Sequence, residues 1–240
     1  MKMLKKLIKR FNLPLQNNKI LIHKVNGQIQ ECKSYPGLSI KFKGTNNTVE
    51  IWEPCRFRKY IAGNKRSKLD INGSNNKIII NSTVHTYNSI RVIAMENNCR
   101  LYIGQNMFQT GSLLIDYTNI DNLNVNIGDN CMFGYKVNLM CGDHHTIYNQ
   151  STGEILNYPQ KGITIGNHVW LAKNTIVLKD VELPDNSVVA AGTTVSKSFN
   201  QPNIIIGGSP NRILKEHINW ALENVNKFDK NVIEAVNEIV

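Results

Sequence analysis

Two adjacent histidines, His144 and His145, follow Asp143 in a stretch that runs from residue 141 to 162. An imidazole titrates near neutral pH, so it can take a proton from a hydroxyl and return it. The Asp-His-His group is therefore suited to general-base chemistry. The alternative is a pair of exposed loop histidines with no chemical role. Asp143 could orient a base or rim a pocket, with Tyr148 and Glu154 in the same stretch. Further along, His168 and Trp170 flank Val169. His168 is expected to be structural, or a wall of a site. An indole is costly to fit into a narrow core, so Trp170 should point outward. There it could pack on a ligand or on another subunit. The five cysteines (32, 55, 99, 131 and 141) form no close pair. That spacing argues against a zinc knuckle and a disulfide scaffold, and no metal site is expected. No Gly-rich phosphate loop is present, so ATP hydrolysis is not expected.

The elements that must position these residues follow a repeat of six. From Ile163 to Ser198 the chain divides into hexads, with aliphatic residues at 165, 171, 177, 183, 189 and 195. The residue two places earlier is small or β-branched each time. Val125 with Ile127, Cys131 with Phe133, and Val137 with Leu139 keep the same spacing. Leu101 with Ile103 precedes Val125 with Ile127 by a whole number of hexads. A period of six suits neither a helix nor one long strand. It suits very short strands joined by corners, three to a coil, stacked into a parallel β-helix with a continuous core. Asn occurs 34 times. Its pairs recur in Gly44–Ile51, Gly73–Ile80 and Glu96–Ile103, each time before a short strand. They read as corners, because Asn tolerates the left-handed region.

The chain thus divides into an N-terminal segment, 1–40, expected to help cap the coils; a coil domain, 41–210; and a C-terminal segment, 211–240. Residues 141–162 break the hexad and should form an extruded loop, where function tends to gather. From Ile213 onward the apolar spacing predicts one or two bracing helices. The formal charge is +10, from 28 Lys plus Arg against 18 Asp plus Glu. Residues 2–10 could form a short basic amphipathic helix able to touch an anionic membrane surface, or a solvated terminus. They lack the features of a signal peptide. No apolar run is long enough to span a bilayer, so any membrane contact would be peripheral. Nucleic acid is not an expected partner, since no recognition helix or aromatic interleaving accompanies the basic runs.

The hexads, Ile165-Gly-Asn-His-Val-Trp-Leu171 and Gly207-Gly-Ser-Pro210 resemble the left-handed β-helix, or hexapeptide-repeat, acyltransferases. Within them the chain is similar to bacterial capsular polysaccharide O-acetyltransferases, including those acting on sialic-acid-containing capsule. The similarity rests on Asp143-His-His-Thr-Ile-Tyr148, Lys197-Ser-Phe-Asn-Gln-Pro-Asn203 and Trp220, and covers about 125–220. Departures are Ala172 where Gly is common, Asp180 after Lys179, and Asn211-Arg212 after Pro210.

The resemblance implies an all-β, left-handed parallel β-helix with an extruded loop and a C-terminal helical segment. It implies acetyl transfer from acetyl-coenzyme A, as co-substrate and not as a resident cofactor, to a carbohydrate hydroxyl without an acyl-enzyme. The alternative is a small-molecule acceptor such as a nucleotide sugar, amino acid or antibiotic. His145 is the expected base, with His144 the alternative, and His144, Tyr148 and Glu154 are expected to meet the acceptor. Trp170 is expected near the acyl donor. The coenzyme would lie along Ala172, Lys173, Ala190, Gly192 and Thr193, with Lys173, Lys197, Arg212 and Lys215 available to its phosphates and adenine end. The family builds its sites between coil stacks, which implies a homotrimer. A cytoplasmic location, at the inner face of the membrane, would fit an acidic glycan acceptor drawn in by the positive charge.

Overall fold

The computed structural model describes residues 17–58, 66–223 and 225. Its described residues are all-β, with no helix. Short parallel strands stack into three faces, in an arrangement consistent with a left-handed β-helix. The first face runs from Lys19–His23 through Thr48–Trp52, Lys77–Ile80, Arg100–Ile103, Asn124–Ile127 and Gly162–Ile165 to Glu182–Leu183. The second carries Phe108–Gln109, Met132–Phe133, Trp170–Leu171, Val188–Val189 and Ile205–Gly207. The third runs from Leu38–Phe42 to Val137–Met140, Ile176–Leu178 and Thr194–Val195.

Register explains the hexads. Trp170 lies beside Val188, Ile176 beside Thr194 and Thr164 beside Glu182, so one coil consumes three hexads, one for each face. Arg100 lies beside Asn124, so that coil takes one hexad more. The earliest coils are longer still, since Thr48 lies beside Lys77. Each hexad turns two side chains inward. Ile165, Leu171, Val177, Leu183, Val189 and Val195 are at most 3% exposed, and Ile163, Val169, Thr175, Val181, Ser187 and Thr193 are buried with them. Full burial of one such aliphatic side chain is worth about 1.5–3 kcal/mol.

The asparagines turn the corners. Asn46, Asn75, Asn98 and Asn122 all adopt positive φ, between 56° and 63°. They sit above one another, and each side-chain amide donates to the next: Asn46 to Asn75 at 3.3 Å, Asn75 to Asn98 at 3.2 Å and Asn98 to Asn122 at 3.1 Å. A second ladder runs alongside them. The Asn18 Oδ1 accepts the Asn47 N–H, the Asn47 Oδ1 accepts that of Asn76, and the Asn76 Oδ1 accepts that of Cys99. The side-chain amides thus supply acceptors for backbone N–H groups that the turn removes from the sheet.

The two ends of the stack are covered by strands. Lys19–His23 is already a rung of the first face, and Ile29–Cys32 folds back antiparallel over its free edge. At the far end Arg212–Lys215 pairs antiparallel with Ile205–Gly207. The spacing from Ile213 through Val225 predicted a helix here; over 212–215 the structure has a strand instead, and 216–223 are not helical. The exposed edge of the last coil supplies a ladder partner, which outweighs a weak local helical pattern. The remaining helical spacing, Val232 to Ile239, lies outside the described residues, as does the basic segment 2–10.

Candidate active site

The extruded loop leaves the third face after Met140 and rejoins the first face at Gly162. It makes its coil more than twice as long as the next: Met132 finds its neighbour only at Trp170, whereas Trp170 finds its own at Val188. The outer part of the loop is a small hairpin. Tyr148 bridges Ile155, the Leu156 N–H donates to the Ile147 carbonyl at 2.8 Å, and the Asn149 N–H to the Glu154 carbonyl at 2.8 Å. Asn157 ties the arms together. Its Nδ2 donates to the His145 carbonyl and to Asp143 Oδ2, both at 2.8 Å, while its Oδ1 accepts the Ile147 N–H at 2.8 Å.

His144 sits at the root of the loop in the left-handed region, with φ of 63°. Its Nε2 lies 3.1 Å from Asp116 Oδ2. Asp116 is buried, and its Oδ1 accepts the Thr118 N–H at 3.0 Å, which fixes the carboxylate. The His145 ring has no side-chain partner among the described residues. A cavity of about 390 Å³ opens here, lined by Met140, Gly142, Asp143, His144, His145 and Leu178. Lys179 Nζ pairs with Asp143 Oδ2. That ammonium holds the Asp143 carboxyl below its ordinary value, with partial burial working the other way and the Asn157 bond adding to the lowering. Tyr148 and Glu154 lie out on the exposed hairpin and do not line the cavity. A larger cavity, about 550 Å³, lies at the N-terminal end of the stack among Tyr35, Arg56 and Phe57, and holds none of the expected site residues.

Trp170 is on the second face, half-buried and pointing outward as expected. Trp220 packs 6.1 Å from it and stacks on His168 at 4.2 Å, donating its Nε1–H to the His168 carbonyl at 2.8 Å. His168 is thus part of a wall. Within one chain this group is on a different face from His144 and His145, and the structure does not bring the two together. Ala172, Lys173, Ala190, Gly192 and Thr193 gather around the corner that follows the second face. The N–H groups of Ala190, Gly192 and Thr193 already donate to Ile206, Lys173 and Ala190. They therefore offer no free donors for a pantetheine arm: Ala190 and Gly192 leave a surface of small residues, whereas the Thr193 side chain, expected to meet the coenzyme, points into the core and is buried. Lys173, Lys197, Arg212 and Lys215 make no ion pair among the described residues, although Lys197 Nζ lies 5.6 Å over the Phe199 ring. No group of three or more His, Cys, Asp or Glu side chains among the described residues could hold a metal ion.

Asp116 escaped the sequence reading, although its register was legible. It precedes Met140 by the same coil advance that separates Leu101 from Val125, and so lies directly beneath the root of the loop. Lys179, Asn157 and Asp180 carry no comparable signal.

A polysialic acid O-acetyltransferase of Neisseria meningitidis is 35% identical over 178 residues, 74% of this chain and 76% of that protein. The chain belongs to the hexapeptide-repeat acetyltransferases, among the relatives of the bacterial polysialic acid O-acetyltransferases. A second member, the galactoside O-acetyltransferase of Escherichia coli (strain K12), is 33% identical over 117 residues, 48% of this chain and about half, 54%, of that protein. The crystal structure of a polysialic-acid-specific acetyltransferase superposes with a TM-score of 0.72, over 93% of this chain and 95% of the other. At 21% identity that likeness supports the fold alone. A polysialic acid O-acetyltransferase structure at 25% identity gives 0.63 over 93% and 96%. No family model matches the chain. No helix among the described residues is long and apolar enough to cross a membrane.

Proposed function

We propose that the protein is an O-acetyltransferase that moves the acetyl group of acetyl-coenzyme A to a hydroxyl of a bacterial surface polysaccharide of the sialic-acid-containing capsule type. The observation that carries this reading is the His144–Asp116 pair at the root of the loop, on a scaffold shared with a polysialic acid O-acetyltransferase over most of both chains. With the His144 Nε2–H donated to Asp116, Nδ1 is the nitrogen left to accept the hydroxyl proton. The acceptor oxygen then forms a bond to the thioester carbonyl carbon, and the C–S bond breaks as the tetrahedral intermediate collapses. The imidazolium returns its proton to the departing thiolate. Asp116 stabilises the imidazolium while the charge lasts, and no acyl-enzyme forms. The sequence pointed first to His145, which lines the same cavity. The carboxylate favours His144 as the base and leaves His145 to the acceptor.

The donor is best held between subunits of a left-handed coil trimer. Phe108, Met132, Trp170, Val188 and Ile205 form an outward, half-buried apolar column along the second face. The first face turns Tyr102, Asn126, Thr164 and Glu182 outward, all exposed and mostly polar. One apolar and one polar face suit a coil that packs against a neighbour on one side only. A neighbour would also bring a Trp170 towards the loop, which a single chain does not do. Lys173, Lys197, Arg212 and Lys215, which make no ion pair among the described residues, are available to the coenzyme phosphates. The match to a galactoside O-acetyltransferase keeps a small-molecule acceptor as the second reading.

A mass-spectrometric acceptor screen with acetyl-coenzyme A decides between them. Sialic acid oligomers should gain acetyl groups, with an acceptor KM that rises with salt. Acetylation of galactosides or other neutral acceptors alone would reject the acidic-glycan reading.

A further inference from the structure

The loop that carries the histidines stands on two consecutive residues of the next coil. Lys179 Nζ holds its first foot, through Asp143. Asp180 holds its second. The Asp180 carboxylate accepts three successive backbone N–H groups: Gln160 at 2.8 and 3.0 Å, Lys161 at 2.6 Å and Gly162 at 3.2 Å. These N–H groups belong to the residues where the chain re-enters the first face. Gly162 has φ of 88°, and a Cβ there would strike the Asn124 carbonyl, so the re-entry turn is tight. Asp180 itself has φ of 60°, a conformation that costs a non-glycine residue energy. Glycine would adopt it freely but could not bind the N–H groups. Leu178, one residue before the pair, lines the cavity with His144 and His145.

We propose that Lys179-Asp180 is a positioning clasp for the catalytic loop. It fixes both feet to one corner, so the Asp143–His145 segment is held in register with Asp116 on the coil beneath. Neither residue touches the reacting atoms. The inference rests on the reading of this loop as the base-bearing element, and it adds a determinant of where that base stands. A loop freed at either foot would sample orientations in which the imidazole no longer faces the acceptor, and turnover falls steeply with small misplacements.

Asp180→Gly tests this directly, because glycine accepts the positive φ of this position while the carboxylate is lost with the side chain. The expected result is a kcat lower by roughly tenfold with sialic acid oligomers as the probe acceptor, and a KM for acetyl-coenzyme A within about twofold. Amide hydrogen exchange should quicken at 160–162 and at 143–147 together, ahead of the coil. Asp180→Asn, which keeps one acceptor oxygen, should recover part of both effects, and Lys179→Met should reproduce them from the other foot. Quickened exchange at 160–162 with 143–147 unmoved would overturn the clasp, as would normal kcat in both Asp180 variants. The exchange arm needs no turnover. If wild-type protein acetylates no sialic acid oligomer, the functional reading fails while linked exchange of the two feet still supports the clasp.

Discussion

His144 and His168 are both left-handed histidines at corners of one coil stack, with φ of 63° and 52°, yet they are held in opposite ways. His144 is exposed and its ring nitrogen faces a buried carboxylate at 3.1 Å. His168 is half-buried, its Nδ1 lies 3.1 Å from the Asn186 amide oxygen, and its ring is covered by Trp220 at 4.2 Å. A carboxylate orients an imidazole and stabilises its charged form, while an amide and an indole orient it without a matching charge. The same residue type, in the same backbone conformation, is therefore suited to act as a base at one corner and as a wall at another. The partner across the coil decides which.

The largest expected effect breaks the first member of the comparison. His144→Asn, which tolerates the same positive φ, should lower kcat by about 10²–10⁴-fold, the usual worth of a positioned base. His145→Ala, measured in parallel, should cost less, and the reverse order would move the base to His145. A smaller loss is expected when only the partner changes. Asp116→Asn leaves an imidazole in place but removes the charge and allows the wrong tautomer, so a fall of about 10–100-fold in kcat/KM should appear in initial-rate assays. Activity close to wild type would mean that the carboxylate plays no part. The smallest effect should come from the wall. His168→Asn keeps a residue that tolerates positive φ but removes the aromatic stack. Calorimetry should register a loss of about 0.5–1.5 kcal/mol, a Tm drop of roughly 2–5 °C, with kcat within about twofold. A large kcat loss there would erase the distinction between the two corners.

Much of the scaffold was legible before any coordinates. The sixfold spacing of Ile165, Leu171, Val177, Leu183, Val189 and Val195 corresponds to buried inward positions without exception. The Asn pairs correspond to corners, where positive φ and a side-chain amide are both needed. The loop announced itself by breaking the repeat. The C-terminal segment was less readable, since Ile213 and Leu214 fit a helix as well as a strand. The open edge of Ile205–Gly207 settled that choice over 212–215. Around the site the sequence placed Asp143, His144 and His145 together, and the structure joins them in one cavity. It could not reveal that Asn157 would zip the loop, or that Trp220 would lie on His168, because neither contact follows from a period.

The sequence by itself determined the coil, its corners and the place where the chain leaves them. Each of those depends on short-range spacing and on backbone preferences carried by single residues. Tertiary structure decided the partners of the chemistry: Asp116 under His144, whose place in the coil follows the repeat but whose pairing with the loop does not, the Lys179-Asp180 corner under both feet of the loop, and Trp220 over His168. Their separations of 28, 36 and 52 residues lie outside any local pattern. Stacking of the coils removes that distance, because each full turn returns the chain to within one strand spacing, about 4.8 Å, of where it began.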